Sequence, residues 1–445
     1  MNNAAILIAN TQCPVTIDLA PSGTFIPMSP AALRNFSIFL VLLVLIDLYA
    51  YKGLNTALAN HSLTLRRIVR FLYWIISIGI IGLMIWSVFS MQDPKVRRDH
   101  SYAFSLVALF LLFFLPKVVM VVFHGLDDLL HVARLGWNKL LPGPVDMPGE
   151  GIDRVRFLSQ LGLIVAAIPF TGVLYGVTKG RSRFNVSRVP VRSAGLPPAF
   201  HGLTVIQISD MHLGSYGGDP ALVQNGIDLI NAERPDLIVF TGDLVNDYAE
   251  EAEPFIDVLK GLEARLGKFS ILGNHDYSDY PKWESPTAKA ANLERLKAIH
   301  AEMGFRLLLD EHVTIEVGGE RIGLLGVQNW GHRFQQYGDL AKTIQGTEAM
   351  PYRILLSHDP THWEHQVQGT GIDLTLSGHT HGAQLGVKLG NTTYSPAQWV
   401  YKHWAGLYAE GGQQLYVNRG FGFIGFPGRV GMPPEITVLE LNRTA

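Results

Sequence analysis

Two histidines stand with a single residue between them in SGHTHG (377–382), fenced by glycine in a stretch too small to bury them. The chain has 16 histidines, and most histidines are surface or core residues, so the pair alone says little. Four further clusters raise its weight: Asp210 and His212 in SDMH (209–212), Asp243 in TGD (241–243), Asn274, His275 and Asp276 in GNHD (273–276), and His358 in SHD (357–359). Carboxylates, imidazoles and an amide oxygen, with no thiolate among them, suit Mn²⁺, Fe or Zn²⁺ better than a soft metal. A closed zinc site takes about four ligands. Asp210, His212, Asp243, Asn274, His358, His379 and His381 are together enough for two divalent ions that share a bridging carboxylate.

Such a set works only if distant parts of the chain converge. Each cluster follows a short apolar run: LTVIQIS (203–209), DLIVFT (236–241), KFSIL (268–272), YRILL (352–356) and IDLTL (372–376). Nearly continuous apolar runs of this length are the mark of strands buried on both faces. In layered α/β folds the crevice beyond the strand ends is where ligands bind, so five strands can deliver their terminal residues to one place. In an extended or tightly turning backbone, positions i and i+2 project to the same side, which lets His379 and His381 point together. Residues 285–305 read as a helix ending at Gly304.

The order DMH, GD, GNHD, SHD, GHTH resembles the calcineurin-like metallophosphoesterase superfamily over residues 185–445. HGLTVIQISDMHLGS, RPDLIVFTGDLV, LYVNRGFG and PPEITVLEL are most similar to its membrane-associated YkuE/YaeI-like phosphodiesterase branch. The resemblance implies a four-layer α/β/β/α sandwich. It also implies one metal on Asp210, His212 and His381, another on Asn274, His358 and His379, and Asp243 as the bridge. Many members read GDxxD, whereas GDLVND here places Asn246 at the last position, a difference that bears on loop packing. Two cations about 3.5–4 Å apart would lower the pKa of a shared water and neutralise the phosphoryl oxygens during in-line attack. His275, beside Asn274 but not a ligand, is the expected general acid or transition-state donor, with Asp276 orienting its ring. His332 and Arg333 lie between ligand blocks where substrate contacts are often built. Arg419 in YVNRGFG fits either a phosphate contact or a structural turn. His300, His312, His362 and His365 read as solvated.

The first 180 residues pose a different problem. The chain is 48% hydrophobic and 17% charged, with mean hydropathy +0.18, and the apolar excess is N-terminal. Runs at 36–51, 71–91, 101–123 and 157–178 approach the roughly 20 residues that cross a bilayer. The alternative of a large buried helical core fails mainly on FLYWIISIGIIGLMIWSVFSM, which has no charge in 21 positions and is apolar all round. The expected organisation is a tail at 1–35, an all-α four-helix transmembrane domain at 36–178, a linker at 179–200 and the phosphoesterase domain at 201–445. Two of the runs carry a charge, Asp47 and Lys117; intramembrane charges usually face a partner or water, so the two either snorkel to the nearby ends of their runs or pair with each other. The single Cys13 rules out an internal disulfide. A net charge of −2 and a pI near 6.8 give no electrostatic footprint for nucleic acid.

The expected function is a membrane-anchored, metal-dependent phosphoesterase acting on phosphodiester or pyrophosphate bonds, its partners being the bilayer and a phosphoester substrate. The alternative is a transport or scaffold protein whose phosphoesterase-like domain only senses metal or nucleotide. The aromatic stretches YSPAQWVYKHWAGLY (394–408) and FGFIGFPG (421–428), with Lys402 and Arg429 nearby, fit either core packing or an apolar wall beside the site that would suit a lipid substrate. Lys and Arg number eight on one side of the four runs and nine on the other, so positive charge does not set the orientation. RVRFLSQLGLIVAAIP (154–169) is similar to a degraded twin-arginine export signal, which would place the enzyme on the extracytoplasmic side.

Overall fold

The computed structural model describes residues 29–90, 98, 100–140, 154–390 and 392–444. Cys13, most of the tail, Lys95, Arg97 and nearly all of the 140–153 loop lie outside the described residues.

Four long helices come first: α1 (Pro30–Ala57), α2 (Leu63–Ser90), α3 (His100–Leu140) and α4 (Arg154–Thr178). Ser29 caps α1 by accepting the Ala32 N–H at 3.2 Å, and Pro30 follows at the first helical position, where a missing N–H costs nothing. The 25 residues of α4, the shortest, span about 37 Å at 1.5 Å per residue, more than the roughly 30 Å hydrocarbon core. The bundle is inverted relative to a soluble one. Phe71, Ile78, Ile164 and Ile168 are exposed on its outside, whereas Asp47 is 1% exposed inside it. Such a surface is stable only against lipid. The four helices cross the membrane.

Asp47 and Lys117 do pair, Nζ to Oδ1 at 2.5 Å. Ser77 links them at 3.0 and 2.7 Å, and the Tyr73 hydroxyl donates to Asp47 at 3.2 Å. Around this polar knot pack Leu43, Ile80 and Phe114 on one side and Ala50, Met120 and Ala166 on the other.

The remainder is a sandwich of two six-stranded sheets. The first holds β1 (Asn185–Ser193), β2 (Thr204–Ile208), β3 (Leu237–Phe240), β4 (Lys268–Ser270), β5 (Arg306–Leu307) and β14 (Glu435–Arg443), in the order β1-β14-β2-β3-β4-β5. The second holds β6 (Glu311–Val317), β7 (Glu320–Gly326), β8 (Arg353–Leu356), β9 (Leu374–Ser377), β12 (Gly406–Glu410) and β13 (Gln413–Val417), in the order β12-β13-β9-β8-β7-β6. A separate hairpin pairs β10 (Val387–Leu389) with β11 (Thr392–Tyr394). Residues 185–193, expected within the linker, instead form β1, which runs parallel to the C-terminal β14 over its full length. Its valines change phase between Val186 and Val189 and are interleaved with Arg188, Pro190 and Arg192, so no apolar run marks it in the sequence.

Period-2 alternation splits each strand between two cores. Val205, Val239 and Phe269 meet Leu324, Leu356 and Leu376 between the sheets. Ile206, Ile208, Ile238 and Phe240 face the other way, onto α5 (Ala221–Ala232) and α6 (Pro286–Glu302). Beyond the second sheet, Leu325, Leu355 and Val417 pack on Trp363 and Val367. The layers are therefore α/β/β/α. Ser285 caps α6 through the Ala288 N–H at 3.1 Å. Strands β2, β3 and β4 are mutually parallel, as are β8 and β9, so the five strands that precede the candidate ligands end at common edges.

The same edges face the bundle. The Arg429 N–H donates to the Gly176 carbonyl of α4 at 3.2 Å. His100, at the start of α3, lies 3.2 Å from Asp247 and 3.7 Å from Glu251, and Arg98 is 4.0 Å from Glu250.

Breaking a buried ion pair costs about 3–5 kcal/mol because one charge is left uncompensated. Asp47→Lys and Lys117→Asp are each expected to abolish accumulation of folded protein in membranes, and the double swap to restore it. Immunoblotting of membrane fractions checks this; no rescue would show that the pair does not stabilise the bundle.

Candidate metal centre

At five of the seven candidate ligands the backbone turns left-handed: φ is 53° at Asp210, 47° at His212, 60° at Asp243, 70° at His379 and 51° at His381. Non-glycine residues avoid this region, and its concentration at one place marks a site where geometry outranks local stability. The turn halts each strand abruptly and throws the side chain over the sheet end. Two glycines make room for it. A Cβ on Gly378 would collide with Ser209 Oγ and an Asp210 carboxylate oxygen, and one on Gly273 with Asp243 Oδ1.

The side chains form two adjoining clusters. In the first, ligand atoms of Asp210, His212 and His381 lie within 4.8 Å of one another, with His212 Nε2 3.0 Å from His381 Nε2. In the second, His358 Nε2 is surrounded by Asp243 Oδ2 at 3.1 Å, Asn274 Oδ1 at 3.1 Å and His379 Nδ1 at 3.2 Å. Asp243 Oδ2 is also 3.6 Å from His212 Nε2, so one carboxylate oxygen reaches both clusters. One proton cannot satisfy four donor atoms aimed at a common point; a divalent cation can, and all-N/O donors fit one. The residues present fit two such ions.

Neighbouring groups fix which ring atom faces inward, as in metal sites generally. His358 Nδ1 donates to the Thr241 carbonyl at 2.8 Å, and His379 Nε2 meets the Tyr401 hydroxyl at 3.0 Å. Arg429 is buried, which settles the core-packing alternative for this residue, and its Nη2 lies 3.3 Å from His381 Nδ1. Its guanidinium otherwise donates to the carbonyls of Arg419, Gly420 and Gly422. Burial pushes the His212 imidazole down to about 3 and His381 well below its ordinary value, keeping both neutral. Burial alone would lower His358 too, but Asp243 and Asp210 outweigh it and raise it to about 10. Against its own burial, Asp243 is held well below the carboxylate range by His358, His275 and His212.

His275 stands beside both clusters. Its N–H donates to Asp243 Oδ1 at 2.9 Å and its Nδ1 to the Asn246 carbonyl at 2.7 Å, which leaves Nε2 as the nitrogen open to a ligand. Asp276 does not orient this ring. Its carboxylate accepts the N–H groups of Asp243 and Gly273 at 2.9 Å and of Leu244 at 2.8 Å, tying the loop after β3 to the loop after β4. Burial and the Asp243 charge push it up to about 7. Adjacency in sequence pointed to the ring; the three unpaired amides made the stronger demand.

The outer candidates separate. Phe334 packs edge-on to His379 at 4.7 Å, so the 330–335 loop borders the site. Arg333 is exposed there, and its charge partly offsets the burial that pushes the Tyr401 hydroxyl up to about 12. His332 is exposed but stacks on His365 at 4.4 Å. Arg419 is a structural residue: its Nε pairs with buried Glu435 at 2.6 Å. His300 and His362, expected to be solvated, are fully buried and pushed down to about 3 and 4 by that burial. Tyr280, whose hydroxyl accepts from Asn274 Nδ2 at 2.7 Å, was missed because nothing in its local sequence marks it.

Two facing sheets whose strand ends gather two clusters of buried Asp, His and Asn donors define a metal-dependent hydrolase. Residues 203–383 match the family described as "Calcineurin-like phosphoesterase", and residues 33–181 match "Probable Calcineurin-like phosphoesterase, transmembrane domain". The chain is 31% identical to the metallophosphoesterase YkuE of Bacillus subtilis, over 66% of its own length and 99% of YkuE. It is 27% identical to a transmembrane protein with metallophosphoesterase domain from Bos taurus, over 77% and 75% of the two chains. It is 30% identical to the UDP-2,3-diacylglucosamine pyrophosphatase LpxG of Chlamydia trachomatis, over 58% and 89%. The chain belongs to the calcineurin-like metallophosphoesterase family and is a phosphoric ester hydrolase with a membrane-spanning N-terminal domain.

His275→Ala removes none of the seven donors. Bound metal, read by elemental analysis, is expected to stay near wild type while turnover falls by about 10²–10⁴-fold. The loss should be greatest for poor leaving groups and least for p-nitrophenolate, which hardly needs a proton. Loss of metal would make His275 structural.

Proposed function

We propose that the protein is a dinuclear metal-dependent enzyme that hydrolyses phosphodiester or pyrophosphate bonds of a lipid or lipid-linked substrate at the membrane surface. Asp210, His212 and His381 would hold one divalent ion, Mn²⁺, Fe or Zn²⁺, and Asn274, His358 and His379 the other, with Asp243 between them. When bound, such ions supply a hydroxide at neutral pH and neutralise the phosphoryl oxygens. The protein's own residues do the rest. In its protonated form His275 donates Nδ1–H to the Asn246 carbonyl and Nε2–H to the leaving oxygen, so the ring is held while the proton moves. Arg333 and Tyr401 border the space where the phosphoryl group would sit.

The observation that carries the lipid reading is the apolar surface beside the clusters: Trp399 is 81% exposed, two residues from Tyr401, whose hydroxyl touches His379. A water-soluble substrate gives no reason to display it. The similarity to LpxG, named for cleaving a diacylated sugar nucleotide, agrees with this reading. We also propose that the catalytic domain lies on the extracytoplasmic side, on the strength of the arginine-led segment 154–169. A phosphatase reporter that works only outside the cytoplasm, fused after residue 445, should then be active, and an inactive fusion of normal abundance would reverse the assignment.

With added Mn²⁺, detergent-dispersed phospholipid or nucleotide-linked lipid is expected to be cleaved at least about tenfold faster than its water-soluble head-group analogue, the scale of about 1.4 kcal/mol of apolar contact. Trp399→Ala should shrink that ratio. Equal rates on both substrates would point to a soluble phosphoester instead.

A further inference from the structure

We propose that the β10–β11 hairpin and the turn after it form a foot that rests in the headgroup layer of the bilayer, docking the metal site against the membrane independently of the four spans. Val387 and Leu389 are 58% and 63% exposed, and Tyr394, Trp399 and Val400 are exposed alongside them. Among the described residues of the sandwich, the exposed large apolar side chains fall in this stretch of 385–400, apart from Tyr280 and Leu407. A soluble surface scatters such residues; a concentrated patch marks a contact. The hairpin belongs to neither large sheet, so its exposure contributes nothing to the core.

The occupant follows from where the hairpin is rooted. Leu385 bridges to Val430, and the Gly386 N–H donates to the Val430 carbonyl at 2.8 Å. Val430 in turn lies against Gly172 and Gly176 of α4, close enough that a Cβ on Gly176 would meet it at 2.6 Å. The root of the hairpin is thus one strand spacing, about 4.8 Å, from a loop seated on the last two turns of a membrane span. It continues an interface with lipid that α4 already makes. Exposed Lys388 between Val387 and Leu389, and exposed Lys179 and Arg183 just past α4, suit anionic headgroups. Trp and Tyr beside aliphatic residues are what the water–lipid boundary favours. Only three residues separate His381 from Leu385, so a docked hairpin presents the clusters to the headgroup level.

The docking rests on the fold and not on the proposed reaction, and it is tested without turnover. The single native Cys13 is replaced by Ser, and Leu389→Cys or Val387→Cys carries a bimane label in the full chain. A third protein carries the label at Glu316→Cys, at the strand ends remote from the bundle. Each is reconstituted in nanodiscs of phosphatidylethanolamine and phosphatidylglycerol, with and without lipid spin-labelled near the headgroup. A foot buried about 5–10 Å into that boundary should lose about half its fluorescence or more at 387 and 389, with no change at 316. Quenching at 387 and 389 no greater than at 316 overturns the proposal, as does protection of both labels by contact with a second copy, read as a crosslinked dimer.

Discussion

Seven hydrogen-bonding and ionisable groups are gathered out of water at the ends of two β-sheets, and the rest of the domain is arranged around the cost of doing so. Buried charge is tolerated only when paired or bound to metal. Asp243 answers that constraint by reaching both clusters, and Asp276 by collecting three amides from the loops that carry Asp243 and Asn274. The left-handed backbone at Asp210, His212, Asp243, His379 and His381 is the conformational expense of aiming the side chains at one place, and the dense cores on both faces of each sheet hold it there.

The bundle solves the inverse problem. Its outside needs no polarity, and its inside holds an ion pair that nothing in lipid packing requires. Replacing such a pair with well-packed apolar residues is often neutral or stabilising, so its presence is better read as fixing which helices meet and at what height. Asp47, Ser77 and Lys117 come from α1, α2 and α3, and α4 is left to join the catalytic domain. Arg429 carries that junction inward: its N–H is held by α4 and its guanidinium lies against His381.

The metal donors were legible because their types, order and positions after apolar runs are local facts. The strands were legible for the same reason, and so were the spans. What the sequence hid is tertiary. Asp276 beside His275 looks like its partner, and only the folded loops reveal three amides in need of an acceptor. Arg419 and Arg429 look alike, yet one meets Glu435 and the other a ring of carbonyls. His300 and His362 sit in polar stretches but point into cores. Strand β1 carries polar residues and a proline because it is an edge strand, paired only with β14, where alternation is weakly enforced.

The seat of Val430 on Gly172 and Gly176 ties the catalytic domain to the last turns of a membrane-spanning helix. An enzyme held at one height meets a membrane-borne reactant as a number per unit area of leaflet, and volume concentration drops out of its kinetics. Its encounters are set by lateral diffusion and by crowding in the plane, so lipid composition becomes a rate variable. With the proposed lipid substrate, anything that thins or thickens the bilayer would move the reactant's phosphate relative to the clusters, which would make membrane thickness a determinant of catalytic efficiency.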